Sequence, residues 1–130
     1  MVDEEITPAE QDLRRRFADL ARHGRKFDRA LSTVLAGGVK ETRFEPSGRK
    51  FLTVVGRLGD EFIDPDRPFC SCHHFFFRVL AGKEETCYHL LCYEMAAKSG
   101  RVDVVAFSDE EYPQVVRAMV LDGFAVLSSG

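Results

Sequence analysis

The stretch that decides how this chain folds is Cys70-Ser71-Cys72, followed after fourteen residues by Cys87-Tyr88-His89-Leu90-Leu91. In an extended segment residues i and i+2 face the same side, so Cys70 and Cys72 direct both thiolates at one point. A helix interior sends i and i+2 to nearly opposite faces, so Cys87 and His89 must straddle a helix start. Leu90, Leu91, Tyr93, Glu94, Met95 and Ala96 supply that helix. The positive end of its dipole favours an anionic Cys87 thiolate. Three sulfurs and one imidazole form a complete soft tetrahedral set, which suits one structural Zn2+ held by Cys70, Cys72, Cys87 and His89. No position remains open for a catalytic water.

The competing reading is four ordinary buried residues, since apolar cysteines and satisfied core histidines are common. It does not account for two tight pairs in a chain expected to stay in a reducing compartment, where such pairing points to metal rather than to disulfides. Cys92 falls one turn below the site on an apolar helical face and reads as a buried structural thiol. His73 and His74 are the substitutes for His89, but either crowds a site that already holds Cys72. Phe75-Phe76-Phe77 with Val79 and Leu80 reads as core on a short helix stopped by Gly82, rather than as a base-stacking platform. Glu84 and Glu85 are near enough in sequence to suggest a zinc hydrolase, but with four ligands in place they fall to the solvent side of a loop.

Working outward, Thr7-Pro8-Ala9-Glu10 has the arrangement of a capping box, and Leu13, Phe17, Leu20 and Ala21 continue it as a helix over 8–22 that Gly24 can end. Phe27, Ala30, Leu31, Val34 and Leu35 repeat the helical period up to Gly37-Gly38. Val39 to Phe44 and Lys50 to Val55 are rich in β-formers around Glu45-Pro46-Ser47-Gly48, a hairpin, and 60–64 adds a third short strand. After the ligands come a helix over 90–98, an extended segment over 102–107 and a Ser108-Asp109-Glu110-Glu111 capping box. That box opens a helix through Leu121, with a kink or a 3₁₀ turn ahead of Pro113. The fold class is α+β: an N-terminal helical hairpin over 1–38, then over 39–130 a short antiparallel β-hairpin or sheet with helices around the zinc site, in one compact unit.

The 130 residues match one domain, and 45% hydrophobic with 30% charged residues excludes a disordered or low-complexity chain. No apolar run approaches the roughly 20 residues of a membrane helix, and the start, Met1-Val2-Asp3-Glu4-Glu5, is not a basic-then-apolar signal. The expectation is an intracellular protein, cytoplasmic in an archaeal cell and nuclear in a eukaryotic one. The net charge of −3 divides into −5 over 1–12, +7 over 13–50 and −5 over 51–130. If the chain touches nucleic acid, the candidates are Arg14, Arg15, Arg16, Arg22, Arg25, Lys26, Arg29, Arg43, Arg49 and Lys50. The bland reading of such a run is a solvated helix face.

The order C-x-C, helix-forming spacer, C-x-H, with a β-hairpin before it and a helix after His89, resembles the SWIM zinc finger over about 39–98. SWIM fingers occur as DNA-binding or protein-binding modules appended to bacterial helicase-like ATPases, MuDR-type transposases and MEK-kinase-like proteins. With Pro46-Ser47-Gly48-Arg49, Cys70-Ser71-Cys72 before a Phe-rich segment, Cys87-Tyr88-His89-Leu90-Leu91 and a helix at Ser108-Asp109, this free-standing chain looks like the small SWIM-domain subunit of the Shu complex. That resemblance implies a non-enzymatic adaptor which partners a RecA-like recombinase paralogue. Such adaptors assist homologous recombination and DNA repair on single-stranded DNA. The alternative is a stand-alone nucleic-acid-binding SWIM finger. Self-association into a homo-oligomer is compatible with either.

Overall fold

A computed structural model of the chain describes residues 6–56, 59–72 and 74–129, with the side chains of 76 and 122–129 outside the description. Among the described residues, four α-helices and five strands run in the order α1 (Pro8–Arg16), α2 (Arg25–Leu35), β1 (Val39–Glu45), β2 (Lys50–Gly56), β3 (Gly59–Asp64), β4 (Phe69–Cys70), α3 (Tyr88–Ser99), β5 (Asp103–Ser108) and α4 (Tyr112–Ser129). The mixed α+β architecture is the one the residue patterns call for.

The first helix is shorter than its period suggests. Thr7 caps it by accepting the Glu10 N–H, and Pro8 opens it, but α1 stops at Arg16 and the chain tightens into a 3₁₀ turn over Ala18–His23. Packing overrides the local pattern here: the tighter turn keeps Phe17 and Leu20 buried alongside Leu13. Gly24, at φ +62, then redirects the backbone into α2. The face of α2 made by Phe27, Ala30, Leu31 and Val34 is buried, and it packs chiefly on α3.

The sheet has the order β4-β3-β2-β1-β5. The three expected strands form an antiparallel meander, and the short β4, which the sequence did not suggest, pairs with β3 through Ile63 and Cys70. The segment after α3 returns as β5 to lie parallel to β1, from Lys40 opposite Asp103 to Glu45 opposite Ser108, so the sheet is mixed and larger than a hairpin. The pairing of Val39 with Val54, of Leu52 with Ile63 and of Ile63 with Cys70 puts these residues on one face. There they join α1, α2, α3, Cys72 and Cys87 in a single buried cluster.

The other face carries Phe44, Phe51, Phe62 and Phe107. Tyr112 at the head of α4 closes on Phe44 at 4.8 Å and on Phe51 at 6.0 Å. The result is three layers: α2 and α3, the sheet, then α4. The turn between β1 and β2 is fastened to the last helix. Asp109 accepts the Ser47 N–H at 2.9 Å and its Oγ–H at 2.7 Å, and the Arg49 guanidinium lies 3.9 Å from the centre of the Tyr112 ring. The expected capping box forms, with Ser108 and Glu111, and a 3₁₀ turn over Asp109–Glu111 precedes α4 so that Pro113 falls in its first turn.

The segment between the ligand pairs departs from expectation. Phe75–Val79 is one turn of π-helix, closed by the Leu80 N–H to the Phe75 carbonyl at 2.9 Å. This wide turn sends Phe75 into the core and against Phe69, but leaves Phe77 and Leu80 70% and 64% exposed. Five residues cannot bury a run of apolar positions that a longer helix would have turned inward. Phe77 and Leu80 are therefore surface, not core. Among the described residues no helix is long and apolar enough to cross a membrane.

Candidate metal centre

Cys70 ends the two-residue strand β4, and Cys72 follows two residues on, at a bend. The residue between them sets the geometry. Ser71 donates its N–H to the Phe62 carbonyl at 3.0 Å, accepts the Phe62 N–H on Oγ at 3.0 Å, and gives its own hydroxyl proton to Glu61 at 2.7 Å. Three hydrogen bonds thus pin the middle of the C-x-C to β3 and leave both sulfurs facing the core. The i, i+2 spacing reveals the two cysteines but gives no sign of Ser71. A serine between paired cysteines beside a strand is the only signal that could have pointed to it.

Cys87 is the N-cap residue of α3, in extended conformation at φ −102, ψ 165, and His89 lies in the first turn. The second pair therefore straddles a helix start, as its spacing requires, with the helix dipole positive towards the Cys87 sulfur. Lys26 of α2 fixes the approach by donating to the Thr86 carbonyl at 2.7 Å. Tyr88 braces the pair from the other side. Its hydroxyl donates to the Val55 carbonyl at 3.4 Å, and the Arg29 guanidinium sits 4.2 Å from the centre of its ring.

One sulfur from each cysteine and one nitrogen of His89 lie within 4.8 Å of one another, and all four residues are buried. Ligands bound at roughly 2.0–2.3 Å around a tetrahedral ion stand about 3.5–4 Å apart, so this spacing fits a single zinc. The imidazole gives an independent test. Both ring nitrogens of His89 are buried without a hydrogen-bond partner, at about 1–3 kcal/mol per orphaned group, and a bound ion takes up one of them. The thiols agree. Hydrogen bonds from Cys70 and Cys87 push the Cys72 thiol far down, the Phe75 N–H adds a 3.3 Å bond to the same sulfur, and its bond to Cys72 pushes Cys70 up. The cysteines give up their protons as an ion enters. Gly56 closes the site from the β2–β3 turn: a Cβ there would stand 2.6 Å from the Gly59 carbonyl and 3.2 Å from His89 Nε2.

The remaining cysteine and histidines lie elsewhere. Cys92 is fully buried, its thiol 3.7 Å from the Ala30 carbonyl and pushed up to about 12 by burial. His74 Nε2 is 3.2 Å from Glu84, and His73 lies outside the described residues. Glu84 is not a solvent-side residue of the loop. Lys26 at 2.5 Å, Arg78 at 3.1 Å and His74 converge on it, and its carboxyl is held at about 2, first by Lys26. This knot, with Arg22 and His23 on Glu85, ties the spacer to the N-terminal helices.

Most of the ten basic candidates are engaged within the chain. Arg14 is shared by Glu10 and Asp28, Arg15 faces Asp12, and Arg16 donates to the Lys98 carbonyl. Arg22 and Lys26 hold Glu85 and Glu84, and Arg43 pairs with Glu41 on its own strand. Arg29 and Arg49 lie over tyrosine rings. Arg25 opens α2, and Lys50 opens β2 opposite Arg43.

A closed Cys3His set, two ligands from a strand end and two from a helix start, makes this a zinc-finger protein whose metal is structural. The four ligands fit a SWIM-type zinc site. Among known proteins, the chain is 37% identical over 73 residues to the zinc finger SWIM domain-containing protein 7 homolog of Dictyostelium discoideum, across 53% of this chain and 46% of that relative. The chain thus matches about half the length of that protein. No family model matches the chain, and no solved structure matches it.

Proposed function

We propose that this protein is a non-enzymatic zinc-binding adaptor that associates with a RecA-like recombinase paralogue and assists homologous recombination and DNA repair. The observation that carries this reading is the closed ligand set. Cys70, Cys72, Cys87 and His89 fill a tetrahedral shell inside the main core, so the ion's work is to hold β4 and α3 together rather than to activate a water. The assignment to recombination draws on the resemblance of the C-x-C, C-x-H order and its flanking elements to the Shu-complex subunit. Protein contact is favoured over direct DNA contact because most of the basic side chains are already engaged with acids, carbonyls or rings.

Co-purification of the tagged chain from its native cell, with identification by mass of what travels with it, tests the proposal. Recovery of a RecA-like paralogue in stoichiometric amount is the expected result. An unrelated enzyme in its place overturns the reading. Salt-sensitive binding of single-stranded DNA by the chain alone, with no protein recovered, favours the stand-alone nucleic-acid binder instead.

A further inference from the structure

Strand β5 is paired with β1 along six residues and has no strand on its other side among the described residues. Its middle is apolar, Val104-Val105-Ala106, with none of the lysines or prolines that usually blunt an exposed edge. Successive side chains point to opposite faces, yet Val104 is 50% and Val105 46% exposed. The helices on the two faces therefore leave the outer strand uncovered on both.

We propose that β5 pairs antiparallel with β5 of a second copy of this chain, joining two five-stranded sheets across a two-fold axis perpendicular to them. Symmetry restricts the register, because residues directly opposite must share a face and the axis must then pass through one residue. An axis at Ala106 sets Asp103 against Asp109, two like charges. An axis at Val104 buries Asp103 against Val105 and leaves Arg101 opposite Phe107. An axis at Val105 sets Val105 against itself and Val104 against Ala106, and moves Asp103 outward, to a position opposite Phe107. It also brings Arg101, which has no ion pair among the described residues, to the acidic Asp109-Glu110 step of the other copy, once at each end. The centre of the strand, Val104-Val105-Ala106, is thus complementary to its own reverse in apolar pairing, and Arg101 adds a charge match at each end. This inference goes beyond the recombination reading and does not depend on it.

The test is sedimentation equilibrium of the full zinc-loaded chain over a range of concentrations, with circular dichroism and zinc content confirming the fold. The expected result is a reversible dimer. Val105→Lys places two like charges face to face at the axis and should weaken the dimer at least tenfold while leaving helicity and one zinc per chain intact. Arg101→Glu should weaken it too, and adding Glu110→Arg should restore it. A single-chain mass at every concentration overturns the proposal, including the case where the edge instead receives a strand of another protein. A dimer indifferent to Val105→Lys, or to Arg101→Glu, overturns it equally.

Discussion

Replacing Cys87 by Ala removes one of four ligands at the point where α3 begins, and the structure shows how far the damage should spread. Cys87, Cys70, Cys72 and His89 are members of the same buried cluster as Leu91, Met95 and Phe75, or lie directly beside them. Zinc binding by finger peptides has an apparent worth of ~10–16 kcal/mol at neutral pH, whereas a whole domain's stability is ~5–15 kcal/mol. Loss of the ion also strands the ligating imidazole nitrogen of His89, at about 1–3 kcal/mol. Neither the remaining hydrogen bonds nor the core can offset a deficit of that size. The Cys87→Ala chain should therefore hold no zinc and lose much of its ellipticity at 222 nm, with no cooperative urea transition. Cys92→Ala is the control, because that cysteine is equally buried on the same helix but outside the ligand set. It should keep one zinc per chain and lose only about 1–2 kcal/mol. A Cys87→Ala chain that is zinc-free yet native in circular dichroism and melts cooperatively would refute the argument that the metal holds this fold together.

Gly56→Ala should speed zinc release to a competing colorimetric chelator about tenfold, since the added Cβ has to displace the Gly59 carbonyl or crowd His89; release at the wild-type rate removes Gly56 from the site. Phe44→Ala should cost about 3–5 kcal/mol by urea unfolding, because this fully buried ring meets Phe51, Phe107 and Tyr112 and links the sheet to α4. A loss below 1 kcal/mol would show that the second core adds little. Glu84→Gln should destabilise by about 1 kcal/mol at pH 7, a partly solvated network being worth no more. The carboxyl is depressed from 4.5 to about 2, so its contribution is complete above pH 4.5 and declines as pH falls towards 2. The gap in urea midpoint between wild type and Glu84→Gln should then narrow as pH falls below about 4.5. A gap that widens on acidification reverses the sign and refutes the assignment.

The ligand geometry was legible in the sequence because each pair carries its own local constraint. Spacing of i, i+2 works in a strand and at a helix start and nowhere in between, and the structure puts Cys70 on one and Cys87 on the other. The β1–β2 hairpin and α2 were legible for the same reason: their turn residues and apolar period are local. What was hidden depends on partners distant in the chain. Nothing local in Asp103–Ser108 specifies a parallel neighbour more than fifty residues earlier. The break at Phe17 answers to packing around Phe17 and Leu20, and the outward turn of Phe77 and Leu80 to a π-helix that no apolar pattern encodes. The basic residues counted as a positive segment because the sequence does not show that Glu84 and Glu85 reach back to Lys26 and Arg22.

The parallel pairing of β1 with β5 also bears on how the protein is made. As the chain leaves the ribosome, α2 and the β1–β2–β3 meander appear well before α3, which completes both the ligand set and the face against which α2 is buried. Until residue 89 has emerged no finger can close, and until residue 108 has emerged the outer edge of β1 has no neighbour. Nascent chains should therefore pass through an interval with three thiols, an apolar helix face and an open strand edge all accessible. Zinc supply and chaperone capture during synthesis, more than the equilibrium stability of the finished fold, would then set how much functional protein a cell obtains.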